Sequence, residues 1–207
     1  MLTTQILEAV IVIIIILASL SIHEFAHAWV ANLFGDPTAK LEGRLSVNPR
    51  AHWDPVGTTL LVVLIFLNAL GVPIPAFGWG KPVPVDERNF ENPRWHGLQT
   101  ALAGPMSNLL LAVLIAGIIR VFHPVGILAD SLTLAIFINA FLMFFNLLPI
   151  PPLDGSRVLR LFMSEEAYFA LVGNPVFYFL VFFAILYFLL DPIRLYAFEL
   201  TKYLLGQ

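Results

Sequence analysis

Five uncharged, apolar stretches dominate the chain, and they cover residues 9–22, 56–74, 97–119, 131–150 and 175–190. About 20 helical residues, with a range of about 17–25, cross the hydrocarbon core of a bilayer. The stretch 97–119 is long enough outright, and 131–150 is long enough up to its prolines. Two polar segments rich in Pro, Asn, Asp and Arg, 35–55 and 80–96, separate the first three stretches. The pattern predicts transmembrane helices joined by polar loops.

The first and last stretches need further residues to cross a membrane. The first is long enough if its helix continues to about Phe34, and the last if a helix begins near Ala167 and kinks at 173–175. The N-terminus lacks the positive region of a secretory signal, so we interpret it as part of a retained helix. The tail at 194–205 has apolar residues at roughly helical spacing, which is typical of a helix in the membrane interface. We expect an all-α fold with about four transmembrane helices.

Composition excludes several classes of protein. Apolar residues make up 59% and charged residues 12% of the 207 positions, which is more apolar side chain than a soluble core of this size can bury. The 11 basic residues are scattered singly and the net charge is −3, so no nucleic-acid partner is indicated. Cysteine is absent, so any metal must bind to His, Asp or Glu. We expect a single integral membrane domain, with a core at about 5–165 and a C-terminal helix and tail at about 166–207.

The strongest chemical signal is His23-Glu24-Phe25-Ala26-His27, at the end of the first apolar stretch. Residues four apart lie on one face of an α-helix, so both imidazoles can reach one ion. Glu24 projects to the side, where it can act on a water molecule without binding the metal. Ionisable residues inside a spanning helix cost several kcal/mol and are functional candidates by default. The alternative is that other helices satisfy these side chains, or that they line a polar pore.

A catalytic zinc site usually has three protein ligands, so a third ligand is expected from another apolar segment. Candidates at the edges of segments are His52, His96, His123, Asp54 and Asp130. The best candidate is Asp154, because three prolines in the preceding segment must break the helix there. At membrane depth such a backbone survives only against protein or a wet cavity. An exposed Asp in a plain loop is the alternative, and His52 is a conceivable extra ligand or proton shuttle, although a loop role is preferred for it.

These motifs together resemble the site-2 proteases, a family of intramembrane zinc metalloproteases. The HExxH pattern at 23–27 lies within a spanning helix, and the pattern N-x-x-P-x-P-x-x-D-G at 146–155 ends a later one. Between them, residues 103–108 look like the Gly/Asn segment that opens the family's middle core helix. Residues 43–55 and 78–84 look like the compact subgroup that lacks PDZ and CBS domains. The order and separation of these motifs make the resemblance specific.

The resemblance implies a zinc metalloendopeptidase that cuts peptide bonds within or near transmembrane segments. It implies that one zinc ion per chain is bound by His23, His27 and Asp154, and that Glu24 is the general base. These roles agree with the interpretation of the individual residues.

Two asparagines also match family positions. Asn146 matches a position thought to bind the substrate backbone or the developing oxyanion, a role that suits a side-chain amide. Asn108 matches as well, with a less defined role in substrate binding. For both residues the alternative is a hydrogen bond between helices that serves packing alone.

The depth of the motifs constrains the path of the chain. HExxH lies toward the C-terminal end of its helix and Asp154 follows the end of another, so these two helices should be parallel, with the antiparallel span 97–119 between them. The stretch 56–71 should then be re-entrant: a helix enters the membrane, and an extended, Pro-rich segment at 72–85 returns. This arrangement places eight basic residues on one side and three on the other, namely Arg120, Arg194 and Lys202. The positive-inside rule assigns the richer side, and with it the site, to the cytoplasm.

The expected substrate is a single-span membrane protein or a signal-peptide-like segment in the lipid bilayer of the cell membrane. A helical substrate must first unwind locally, and an edge strand of the re-entrant loop could then bind it by β-augmentation. One alternative is a metal-ion transporter, for which internal repeats are common but none is visible here. The other is a proteolytically inactive binding scaffold.

Overall fold

The computed structural model describes residues 2–207, and in the helix at 175–188 it leaves out the side chains at 175, 177–179, 182, 185 and 186. All regular structure in this range is helical. The α-helices are α1 (Leu2–Leu33), α2 (Thr38–Leu41), α3 (Gly57–Ala69), α4 (Pro93–Phe122), α5 (Ile127–Asn146), α6 (Glu165–Val172), α7 (Pro175–Phe188) and α8 (Leu190–Leu205). Short 3-10 helices occupy Pro49–His52, Glu87–Asn89 and Asp154–Leu161. The expected all-α fold is confirmed.

Three helices, α1, α4 and α5, are long and apolar enough to cross a membrane. The first continues without a break past His27 to Leu33, close to the predicted end near Phe34. Between 22% and 33% of the residues in their most apolar windows are buried within the protein. The remaining apolar side chains face outward, as expected for helices surrounded by lipid.

These three helices form the core in alternating directions. His23 contacts Asn108 and His27 contacts Thr100, so α1 and α4 run antiparallel. Asn108 contacts Asn139 of α5, and earlier residues of α5 pack against later residues of α4, so this pair is antiparallel too. The helices α1 and α5 are therefore parallel, as predicted.

The predicted re-entrant helix is α3. It has 13 residues, about 20 Å at 1.5 Å per residue, and is therefore too short for a hydrocarbon core of about 30 Å. Leu61 and Ile65 pack against Ala9 in the N-terminal half of α1. The helix thus descends beside α1, and the chain turns at Gly71, where φ is +89°.

The chain then returns without regular structure to the start of α3, which confirms the extended return predicted for 72–85. Thr58 Oγ1 donates to the carbonyl oxygen of Trp79 at 3.1 Å. Two glycines allow this close approach: a Cβ on Gly57 would lie 2.5 Å from the Trp79 ring, and a Cβ on Gly78 would lie 2.6 Å from Leu61 Cβ. The two ends of the loop therefore meet at one end of the bundle.

Polar loops gather at that same end. Lys81 N donates to the carbonyl oxygen of His52 at 2.9 Å, and the buried Arg44 donates through Nη2 to the carbonyl oxygens of Lys81 (2.5 Å) and Pro82 (3.3 Å). Arg44 thereby fixes the backbone of the return segment just before it reaches α1.

Asp36 is fully buried just after α1 and anchors the loop that precedes α4. Its carboxylate accepts hydrogen bonds from Thr38 N (3.1 Å) and Oγ1 (2.5 Å), from Asp86 N (2.8 Å) and from Asn89 Nδ2 (2.9 Å). Burial alone would raise the pKa of Asp36, but the hydrogen bonds from Thr38 and Asn89 outweigh it and the pKa is lowered. The ionised carboxylate is therefore part of the folded loop.

An ion cluster joins the same loop to the segment that follows Asp154. Glu87 pairs with Arg157 and with Arg160 Nη1 (2.5 Å), and Arg160 Nη2 also lies 2.8 Å from Glu165 Oε2. The hydrogen bonds from Arg160 lower the pKa of Glu165. The segments that carry Glu87 and Asp154 are thus tied together.

The C-terminal region differs in part from the prediction. The expected kink at 173–175 is present, because α6 ends at Val172 and α7 begins at Pro175. With 14 residues, α7 is shorter than the about 20 residues of a full span. The predicted fourth transmembrane helix over 167–190 is not found among the described residues, because Tyr168 lies beside Arg160 and α8 begins beside the end of α5, so both ends of this segment lie at the same end of the bundle.

The last helix, α8, packs lengthwise against α5. The Tyr196 ring centroid lies 6.0 Å from that of Phe144 in α5, and at the other end of α8 Arg120 Nη2 of the neighbouring helix α4 donates to the carbonyl oxygen of Tyr203 at 3.5 Å. The buried residues recur every four positions: Ile193, Ala197 and Thr201. This narrow stripe attaches the helix to the bundle, whereas the sequence predicts an interfacial tail. It also places Arg194 near the end of the bundle that holds the polar loops, so grouping Arg194 with Arg120 on the opposite side is wrong.

Candidate metal centre

Three side chains from distant parts of the chain converge beside α4. His23 Nε2 lies 3.0 Å from His27 Nε2, and Asp154 Oδ2 lies 3.1 Å and 3.4 Å from these two nitrogens. One helix presents both rings because they are four residues apart, and the broken backbone after α5 brings in the carboxylate. In the part of the chain that the structure describes, these residues form the group that could hold a metal ion.

Hydrogen bonds on the far side of each ring determine which nitrogen faces this group. His27 Nδ1 lies 2.7 Å from the carbonyl oxygen of Thr100, and His23 Nδ1 lies 2.7 Å from Asn108 Oδ1. Carbonyl oxygens only accept, so both Nδ1 atoms carry a proton and donate it. In the neutral rings both Nε2 atoms then present a lone pair, which is the form that binds metals.

The donor set fits a zinc ion. Asp154 Oδ2 is buried and accepts no hydrogen bond, so two nitrogen lone pairs and a carboxylate oxygen meet within 3.4 Å. Such an arrangement is repulsive unless a proton or a metal cation lies between the atoms. Tetrahedral zinc binds His and Asp atoms at about 2.0–2.2 Å, which separates its ligand atoms by about 3.3–3.5 Å. The observed separations are close to these values.

Gly104 of α4 forms the wall against which the two imidazoles lie. A Cβ at this position would lie 2.5 Å from His27 Cε1 and 2.6 Å from His23 Cε1. Only glycine therefore allows α4 to approach the two imidazoles this closely.

Glu24 and Asp154 face a cavity of about 330 Å³ that lies at the polar end of the bundle. Glu24 Oε2 accepts a hydrogen bond of 2.9 Å from the backbone N–H of Val83, in the return segment of the re-entrant loop. The cavity is also lined by Tyr168 and by residues 151–153, before the aspartate. A carboxylate, a group that could hold a metal ion and space for a peptide are thus adjacent.

The other predicted residues lie elsewhere. Asn146 is not among the described residues that line the cavity, and its Nδ2 donates to the carbonyl oxygen of Leu142 at 3.0 Å. Asn108 is fully buried behind His23, which leaves it no access to a substrate. His52 is also buried, and its Nε2 lies 2.7 Å from the carbonyl oxygen of Ser46, outside the ligand group.

Sequence reasoning missed two features of the centre. The contact of Gly104 with the rings could have been suspected from a glycine among the small residues of a helix opposite HExxH. The N–H of Val83 gave no signal, because every non-proline residue has one.

Comparison with known proteins identifies the family. A profile described as "Peptidase family M50" matches residues 115–187, a range that contains Asp154 but not the two histidines. The "Putative zinc metalloprotease YwhC" of Bacillus subtilis is 40% identical over 157 residues, which cover 72% of this chain and 67% of that protein. The chain belongs to peptidase family M50. This result confirms the resemblance to site-2 proteases and makes the chain a zinc metallopeptidase by family.

Two further relatives support the membership. The "Putative zinc metalloprotease Rip2" of Mycolicibacterium smegmatis is 33% identical over 168 residues, or 80% of this M50 chain and 62% of the relative. The "Putative zinc metalloprotease MJ0611" of Methanocaldococcus jannaschii is 36% identical over 89 residues, or 43% of this chain and 44% of the relative. The chain thus spans about two thirds of the length of the first two relatives. No solved structure matches it.

Proposed function

We propose that this M50 peptidase is an intramembrane endopeptidase that hydrolyses peptide bonds within or near the transmembrane segments of other membrane proteins. The observation that carries the proposal is the position of the metal-binding group between helices that are long and apolar enough to span a bilayer. His23, His27 and Asp154 would hold one zinc ion, and Glu24 would be the general base.

When bound, zinc would acidify a water molecule and polarise the carbonyl of the scissile peptide bond. Glu24 accepts the proton of the attacking water and later returns it to the nitrogen of the leaving amine. The N–H of Val83 holds Oε2 of this carboxylate at 2.9 Å, so the orientation of the base is fixed by the re-entrant loop. The second carboxylate oxygen is left for the proton transfer.

The cavity suits an extended peptide better than a helix. Carbonyl groups within a helix are bonded to N–H groups four residues later, so the scissile segment must unwind before it can react. The cavity is lined in part by Pro82, Val83, Val85 and residues 151–153, which lie outside any regular helix or strand, and backbone of this kind can hydrogen-bond to an extended peptide. No strand is assigned within residues 2–207, so binding by an edge strand would require the loop to order on the substrate.

Asn146 is proposed to contact the substrate backbone or the developing oxyanion. Its Nδ2 is bonded within its own helix, so this role requires the side chain to rotate when the substrate binds. Asn108 is buried, and we assign it to the metal ligand His23 instead.

We also propose that the polar end of the bundle faces the cytoplasm and that the protein resides in the cell membrane. Arg44, Lys81, Arg157 and Arg160 lie in loops that are tied together at this end, as the positive-inside rule requires for cytoplasmic loops. Water would reach Glu24 from this side.

Cleavage of a labelled single-span membrane protein by the purified chain tests the proposal. Glu24→Gln should lower the rate by about 10²–10⁴-fold, because the proton acceptor is lost, while zinc content remains near one per chain. Glu91→Gln, which changes an exposed carboxylate of the same type, serves as the matched control and should cut at the normal rate.

Three results would refute the proposal. They are unchanged cleavage by Glu24→Gln, zinc transport through reconstituted vesicles without cleavage, and substrate binding without cleavage by the wild type.

A further inference from the structure

A row of buried amides connects α5 to the metal-binding group. Asn108 Nδ2 donates to Asn139 Oδ1 at 2.8 Å, and Asn139 Nδ2 donates to Ser19 Oγ at 2.9 Å and to the carbonyl oxygen of Ala135 at 2.8 Å. Both asparagines are 0% exposed and Ser19 is 2% exposed. Buried amides are costly unless they are hydrogen-bonded, and here they are bonded to one another across three helices.

The carbonyl of Ala135 determines which atom donates and which accepts in every hydrogen bond of the row. A backbone carbonyl only accepts, so the atom of Asn139 that faces it must be Nδ2. The Oδ1 of Asn139 then points at Asn108 and can only accept, so Asn108 must present its own Nδ2. The remaining atom, Asn108 Oδ1, faces His23 Nδ1 at 2.7 Å.

The direction of the row therefore determines the tautomer of His23. Because Asn108 Oδ1 can only accept, His23 Nδ1 must donate, and Nε2 is left unprotonated toward Asp154. The second ligand, His27, needs no such row, since its Nδ1 lies 2.7 Å from the backbone carbonyl of Thr100.

We propose that Asn139 is a positioning residue of the metal centre. It orients the amide of Asn108, and through that amide it fixes the ring and tautomer of His23. Asn139 does not touch the metal, the substrate or the cavity. The inference rests on the proposed metal site. It means that α5 supports this site in two ways, through Asn139 and by leading into the segment that carries Asp154.

A pair of substitutions separates orientation from packing. Asn139→Leu is nearly isosteric and removes both hydrogen-bonding groups. Asn108→Asp supplies a carboxylate, which has two acceptor oxygens and can accept from His23 Nδ1 without being oriented. If Asn139 acts by orienting the amide of Asn108, Asn139→Leu should weaken zinc binding when residue 108 is Asn. It should have no such effect when residue 108 is Asp, which needs no orienting.

The measurements are the zinc dissociation constant, by competition with a chelator, and the visible spectrum of the Co²⁺-loaded protein. In the wild-type background Asn139→Leu should weaken zinc about 10–100-fold, the usual effect of losing the hydrogen-bonding partner of a ligand, and it should alter the Co²⁺ bands. In the Asn108→Asp background it should not weaken zinc further. The control Thr201→Val removes a buried hydroxyl in α8 that is bonded to its own helix, and it should leave zinc affinity unchanged.

Equal loss of zinc affinity in both backgrounds would show that Asn139 only packs the helices, and no loss in the wild-type background would show that it does nothing for the metal. Either result overturns the inference. A separate variant tests the proposed metal site itself. If that site is wrong, His23→Ala will bind zinc as tightly as the wild type does.

Discussion

Gly104→Ala should weaken zinc binding while leaving the membrane fold in place. The added methyl group would lie 2.5 Å from His27 Cε1 and 2.6 Å from His23 Cε1, whereas carbon atoms in contact are about 3.5–4.0 Å apart. Each ring must therefore move by about 1 Å. Neither can do so freely, because each is held on its other side by a hydrogen bond of 2.7 Å.

The cost can be estimated from these contacts. Extra methyl groups in a well-packed core cost about 1–3 kcal/mol. The rings can avoid this cost only by leaving the positions from which their Nε2 atoms reach one ion. If the whole cost falls on metal binding, zinc affinity drops about 5–150-fold. Because α4 packs closely on both sides, we expect a loss near the upper end of this range.

The assay is zinc competition in detergent, with thermal unfolding of the metal-free protein measured in parallel. Gly117→Ala is the matched control, since it makes the same change in the same helix at a site where a Cβ meets nothing within 4 Å. That variant should bind zinc normally and be as stable as the wild type or up to about 1 kcal/mol more stable. Normal zinc affinity in Gly104→Ala would refute the argument that α4 forms the wall of the site.

Two further predictions concern the loops. Asp36→Asn should cost about 1–3 kcal/mol, since one buried oxygen is replaced by a donor that faces other donors. Because the pKa of Asp36 is lowered, its stabilising effect is present at neutral pH and above the ordinary pKa of about 4, and it is lost as the pH falls through the lowered value. Thermal melts between pH 7 and pH 3 should therefore show a weaker acid dependence in the variant, and identical slopes would contradict this. Gly78→Ala should separate the return segment from α3, where its Cβ would lie 2.6 Å from that of Leu61. It should reduce proteolytic activity more than zinc affinity, and a parallel loss of both would count against this effect.

The sequence was sufficient for the parts of the molecule that periodicity and helix geometry determine. The spacing of His23 and His27 places them on one helical face. The prolines before Asp154 predict a broken helix that can supply a third ligand. The requirement that these residues meet at one depth predicts the parallel helices and the loop that returns.

Other features depend on partners that periodicity does not reveal. The side chain of Asn139 is one polar position in an apolar helix, and the sequence does not show which helix it faces. The packing of α8 depends on a narrow stripe of small and apolar residues, while the apolar spacing of the same segment is equally typical of an interfacial helix. Asn108 was selected from the sequence as a substrate-binding residue, but its full burial against the His23 ring became visible only in three dimensions.

The distance along the chain between the ligands has a consequence for biosynthesis. His27 is translated about 130 residues before Asp154, an interval of about 6–25 s at ordinary elongation rates. Until the aspartate emerges and the last core helix inserts, the two imidazoles lack both their third ligand and the amide row that orients one of them. Until then a growing chain lacks a complete metal site and cannot cut the other nascent proteins beside it at the insertion machinery.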